Sequence, residues 1–158
     1  MKKIFSMLLF VALLSTAMVA CGDDKDEPDA PVAQQIESEH GVTNDTYLIW
    51  DIDMSQDSSK IFVYNVKFDE KMPVTVNVLI NAPCTVDKTG KVYTFSGTDI
   101  IPNLIMGSTP TPYTTLRVNN LTSVVNTEKK TYSISFSCQG NAMGKPIDGH
   151  YEKEGKLK

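Results

Sequence analysis

Histidine, arginine and helical periodicity are nearly absent from this chain. Histidine occurs only at His40 and His150, and arginine only at Arg117. No Ser or Cys stands in a nucleophile motif, and no glycine-rich loop is present to cradle a phosphate. Cys84 and Cys138 lie far apart with no Cys or His close by, which excludes a zinc site built on short ligand spacing. No segment after Cys21 repeats its apolar residues every three to four positions, as an amphipathic helix requires. These gaps point away from an enzyme, a cofactor and a metal centre.

Excess positive charge is missing as well. The formal net charge is −4 over 158 residues, and it is unevenly placed. Residues 22–39 hold seven acids (Asp23, Asp24, Asp26, Glu27, Asp29, Glu37 and Glu39) against one base, Lys25. Residues 40–158 carry twelve acids and twelve bases and balance to zero. A neutral domain has no cationic field with which to neutralise phosphates, so nucleic acid is excluded as a partner. The acidity belongs to a solvated tail.

What is present begins with an address. Met1-Lys2-Lys3 is a short basic segment, Ile4–Leu14 is apolar except for Ser6, and Ser15–Ala20 supplies small residues before Cys21. This is the layout of a secretion signal, and its core is too short for a comfortable membrane-spanning helix. Met18-Val19-Ala20-Cys21 resembles the lipobox cut by lipoprotein signal peptidase, with Met18 where Leu is usual. The resemblance implies acylation of Cys21 and anchoring in the outer membrane of the cell envelope. Three acyl chains exceed the two signals that stable anchoring requires. The acidic run Gly22–Glu27 resembles the export signal of surface-exposed lipoproteins in a group of Gram-negative anaerobes, which implies display on the cell surface. Pro28–Gln35 reads as an extended polar spacer with nothing to pack. The expected organisation is a signal over 1–20, an acidic disordered tether over 21–41, and one domain over 42–158.

From Thr46 onward the pattern has period two. Leu48, Trp50, Ile52 and Met54 share one face, with Asp51 and Asp53 opposite. Phe62, Tyr64, Val66 and Phe68 form the next apolar face, followed by Val74, Val76, Val78 and Ile80. Thr89-Gly90 punctuates a hairpin between 84–87 and 92–96. Asp99–Met106 reads as a strand interrupted by Pro102, and Gly107–Pro112 as a loop by composition. Leu116, Val118 and Leu121 point inward on a long strand. Tyr132, Ile134, Phe136 and Cys138 alternate cleanly with Thr131, Ser133, Ser135 and Ser137. Met143, Ile147 and Tyr151 suit a last strand. Eight or nine short strands with polar turns predict an all-β, antiparallel up-and-down meander. A meander of this length must curl into a barrel, half-barrel or sandwich to protect its edges.

The stretch from Ile61 to Tyr151 resembles the calycin-like lipoprotein domains of Gram-negative anaerobes. The resemblance is carried by Tyr64-Asn65-Val66-Lys67-Phe68, Lys71-Met72-Pro73 and Tyr93-Thr94-Phe95-Ser96-Gly97. Asp99-Ile100-Ile101-Pro102 and Met143-Gly144-Lys145-Pro146-Ile147 complete it. It implies a small barrel-like fold and no particular activity. Lipocalins carry Gly-x-Trp near the first strand, where this chain has Leu48-Ile49-Trp50, so no lipocalin-type ligand follows.

Candidate sites are few. Asp51, Asp53 and Ser55 match the first ligands of a calcium loop, but Gln56 replaces the turn glycine and Phe62 the bidentate Glu. A strand's solvent face running into a turn explains them. Cys84 and Cys138 either form a disulfide, as an oxidising compartment permits, or stay as buried thiols. Asp69, Glu70, Asp148 and Glu152 are candidate paired carboxylates, and solvated turns account for them equally. The tyrosines suit sugar stacking only on an open face, and Arg117 suits a ligand carboxylate only inside a barrel mouth. The expected function is a non-catalytic binding or accessory module for a small molecule, glycan or protein. The alternative is a structural component of an envelope complex. An open apolar interior favours the first, and a filled core with a flat exposed edge favours the second.

Overall fold

The computed structural model describes residues 33–42, 44–70, 72–142 and 144–158. The expected signal, Cys21, and the tether up to residue 32 lie outside the described residues, as do Lys71 and Met143. The first strands are β1 (Ala33–Glu37), β2 (Tyr47–Asp53), β3 (Ser59–Val66), β4 (Val76–Ala82), β5 (Cys84–Val86) and β6 (Val92–Gly97). β7 (Asn103–Met106), β8 (Thr109–Pro112), β9 (Leu116–Asn126), β10 (Thr131–Ala142) and β11 (Lys145–Lys156) follow. They make two antiparallel sheets, ordered β1-β2-β3-β4-β7-β8 and β11-β10-β9-β6-β5. The described chain is all-β and antiparallel, as its alternation predicts. It departs from a simple meander, because it crosses between the sheets at β4–β5, β6–β7 and β8–β9.

The inner faces meet in one core. Leu48, Trp50 and Ile52 of β2 and Ile61 and Val63 of β3 are fully buried. Facing them are Phe95 of β6, Val118 and Val125 of β9, and Ile134 and Phe136 of β10. Trp50 couples the sheets directly. Its ring lies 5.0 Å from that of Tyr132, and its indole N–H donates to Ser123 Oγ at 3.1 Å. Ser123 in turn donates to the Ser133 carbonyl. Tryptophan is useful here because its body is apolar while its N–H still finds a partner.

Two bulges set which residues point inward. Val63 pairs with Val78 but Val66 with Val76, so β3 holds one extra residue, and Asn65 sits at φ 55°. Asn120 does the same on β9 at φ 53°, between the Ser137–Asn119 and Ser135–Thr122 pairs. Asparagine tolerates the left-handed conformation that a bulge uses. Each bulge reverses the parity of its strand. The inward set is therefore Ile61, Val63, Val66 and Phe68, while Phe62 and Tyr64 face out. This corrects the expectation that Phe62 and Tyr64 join the core.

Three other expectations change. The tether ends earlier than residue 41, because Ala33–Glu37 pair with Ile49–Asp53 of β2 and Ile36 packs on the core. The strand expected from Asp99 begins only at Asn103, after Pro102, and Ile100 instead bridges to Val118. The loop expected over Gly107–Pro112 contains β8, paired to β7 around the two-residue turn Gly107-Ser108. β8 is the sheet's outer strand, and its Pro110 and Pro112 suit an edge, where the missing N–H faces solvent.

The sheets do not merge into one closed ladder among the described residues; an isolated bridge, Ser38–Leu157, joins the edges of β1 and β11. Backbone bonds from Glu39 to Lys156 and from Lys158 to Glu37 extend it. Further along this seam Lys153 Nζ donates to the Thr46 carbonyl. The Phe68 carbonyl lies so close to Gly149 that a Cβ there would fall 1.6 Å from the oxygen.

Candidate functional site

Among the described residues, an apolar cavity of about 460 Å³ lies at one end of the two sheets. Phe68, Leu116 and Ile147, all buried, form its floor. Val76 of β4 and Leu104 of β7 wall one side, and Ala142 of β10 and Tyr113 the other. Met72, Pro73 and Val74 close over it from the β3–β4 link, and Lys145 and Pro146 from the β10–β11 hairpin. Lys145 is the one charged residue in this lining, and it is exposed. Among the described residues it has no carboxylate within ion-pair distance.

Local hydrogen bonds fix these elements. The Met72 N–H donates to the Asp69 carbonyl, and the Phe68 N–H donates to Met72 Sδ at 3.3 Å, which folds the link back on itself. Phe68 then meets Phe136 edge to face at 6.0 Å. The Tyr113 N–H donates to the Pro102 carbonyl, and the Asn141 N–H to the Thr115 carbonyl. Thr115 Oγ1 donates to the Asn141 carbonyl at 2.6 Å, tying the start of β9 to the end of β10. Gly140, at φ 138°, permits that approach, because a Cβ would lie 2.0 Å from the Thr115 oxygen.

Six residues of the lining (Phe68, Met72, Pro73, Lys145, Pro146 and Ile147) belong to motifs singled out in the sequence. Three motifs, two of them adjacent and the third about seventy residues further along the chain, thus converge on one cavity. The remaining lining residues carry no motif, because a cavity assembled from four separate stretches of chain leaves no local pattern.

The other candidates lie elsewhere. Asp53 Oδ1 accepts from both the N–H and the hydroxyl of Ser55, which lowers the Asp53 pKa, and Asp51 pairs with Lys60 at 3.5 Å. No cluster of three metal-ligating side chains occurs among the described residues. Cys84 on β5 and Cys138 on β10 are free thiols. They stand three strands apart in one sheet, roughly 14 Å at ordinary strand spacing. That is beyond the reach of a disulfide. Burial pushes the Cys84 thiol up to about 11 and that of Cys138 up to about 12.

Ser135 Oγ lies 3.5 Å and Glu152 Oε2 3.8 Å from His150, both at the same exposed Nε2. A catalytic triad engages the two ring nitrogens separately, so this trio lacks that geometry. Asp69, Glu70 and Asp148 line a shallow depression beside His150. Arg117 is on the surface, where Nε meets Asp99 at 3.1 Å and Nη1 donates to the Thr114 and Leu116 carbonyls. On the outer face Tyr47 and Tyr64 stack at 4.5 Å, His40 lies against Tyr47 at 4.7 Å, and Phe62 follows Tyr64 at 6.2 Å. Stacked in a row, these rings cover one another's faces, which are the surfaces a sugar needs. At the seam, Glu37 accepts from Lys158 Nζ at 2.6 Å and meets His40 at 3.1 Å; the Lys158 bond is the main reason its pKa is lowered.

Compared with known proteins, the chain matches no family model, no curated protein and no solved structure. The calycin-like resemblance rests on its motifs alone.

Proposed function

We propose that this chain is an outer-membrane lipoprotein, anchored through acyl chains on Cys21 and displayed on the cell surface. Its β domain, a calycin-like half-barrel, serves as a non-catalytic binding module for a small apolar molecule. The observation that carries this reading is the apolar cavity of about 460 Å³. Its size falls within the range of small-molecule sites, and its character fits them: mostly hydrophobic walls with a few polar groups at fixed places. The half-barrel is supported by the Ser38–Leu157 bridge, which ties the outer edges of the two sheets together.

The edges favour this reading over a structural role in an envelope complex. β8 alternates Thr with Pro, β5 is three residues long, and β1 and β11 are tied to each other. β8 and β5 therefore offer no long flat ladder for a partner strand, and along the longer β11 the carbonyls of Thr46 and Phe68 lie against Lys153 and Gly149.

The test is native mass spectrometry of residues 22–158 recovered from cells; this span contains both sheets and the whole core. A bound small molecule is expected, and it should disappear in Ala142→Leu, which adds volume inside the cavity. A stoichiometric protein partner retained by both forms would overturn the reading. The anchor is tested separately. Cys21→Ala should abolish fatty-acid labelling, and protease treatment of intact cells should remove the domain.

A further inference from the structure

We infer that the cavity takes a free single-chain amphiphile with an anionic head, its chain inside and its head at Lys145. This inference rests on the binding-module reading and names the ligand class. Three observations converge. The lining is apolar down to a floor of Phe68, Leu116 and Ile147, so the part inserted is hydrocarbon. The mouth carries one charge, the Lys145 ammonium, exposed and without a carboxylate partner among the described residues. The rim is itself apolar and open: Val74 is 48% exposed, and Pro73 and Pro146 beside it are exposed as well. A cation at the lip of an apolar slot complements a molecule whose polar end stays in water while its tail does not.

The position of the mouth selects a free amphiphile over a bilayer surface. Ala33, where the tether joins the domain, pairs with Asp53 at one end of the first sheet. The cavity lies at the other end, beyond Tyr64 and Val66. An anchor attached through Ala33 therefore leaves the mouth free to open away from the membrane.

The test uses residues 22–158 with three probes: dodecanoate and dodecyltrimethylammonium below their micelle concentrations, and dodecanol below its solubility limit. Binding is measured by calorimetry. Dodecanoate should bind best. Lys145→Ala should weaken dodecanoate about threefold to fivefold, the range of an exposed ion pair, and leave dodecanol unchanged. Lys145→Glu should weaken dodecanoate further. Ala142→Leu, checked for folding by circular dichroism, should weaken all three probes. If dodecanol matches dodecanoate and Lys145→Ala alters neither, the anionic head is wrong and the apolar cavity stands. If no probe binds the folded wild type, both readings fall. If vesicles of phosphatidylglycerol hold the protein and dodecanoate does not release it, the ligand is a bilayer and not a free amphiphile.

Discussion

At the end of the β domain where Ala33 pairs with Asp53, three turns are pinned by their own side chains. Asp53 accepts from Ser55, Asp87 accepts from the N–H groups of Lys91 and Val92 and from the Thr89 hydroxyl, and Asn126 accepts from the Lys129 N–H. Lys91 and Glu128 then pair across two of these turns at 2.6 Å. At the cavity end the links are built from Phe68, Met72, Pro73, Val74, Pro146 and Ile147, and they turn apolar groups toward an open space. Both ends cap the same two sheets, so the difference comes from loop chemistry alone. One end uses its polar groups to satisfy its own backbone, and the other leaves hydrocarbon for something else to cover.

Substitutions at four positions can break or sharpen this contrast. The largest effect is expected from Trp50→Ala, which removes the group that joins the sheets midway between the ends. A loss of about 3–5 kcal/mol in urea unfolding is expected, with both ends lost in one transition. Separate transitions would mean that the ends are independent units. Gly149→Ala comes next, at about 3 kcal/mol or less, because its Cβ would overlap the Phe68 carbonyl and push the cavity floor away. Hydrogen exchange should rise around Phe68 and stay unchanged at the Asp87 turn.

Ser123→Ala leaves the buried Trp50 N–H without its acceptor and should cost about 1–2 kcal/mol. Ser123→Thr, which keeps a hydroxyl, should cost less if the lost bond is the cause. The smallest effect belongs to Asp87→Asn. Its turn bonds, the Thr89 hydroxyl first, hold the Asp87 carboxyl down to about 2, below the ordinary carboxylate value of about 3.9. A depressed folded value means that the wild-type advantage is full above about pH 4 and lost as pH falls toward 2. Melting curves of the two proteins from pH 7 to pH 2 should converge at the acid end. A gap that stays constant would show that the carboxylate is not what holds the turn.

Much of this was readable in the sequence where one strand face is apolar and the other polar. β2 and β10 follow their alternation residue for residue, from Leu48 to Ile52 and from Tyr132 to Cys138. β3 is ambiguous in the sequence because both of its faces are apolar: Ile61 and Val63 compete with Phe62 and Tyr64, and period two cannot choose between them. The choice is made by pairing with β2 and by the bulge at Asn65. β1 was hidden because Ala33–Glu37 has only Ile36 as a core residue, and it is ordered by its partner strand. β8 was hidden by its prolines, which read as a loop unless the strand is an edge. The cavity was the least readable feature, although the motifs around Met72 and Lys145 were already visible.

The prolines of β8 bear on how these molecules live together. If the chain is anchored by Cys21, its copies share a plane and an orientation, so sheet edges meet far more often than in solution. An open edge under such two-dimensional crowding would template the next molecule and grow into a patch of continuous sheet. With Pro110 and Pro112 on the outer strand, neighbours collide and separate, and each cavity stays individually open.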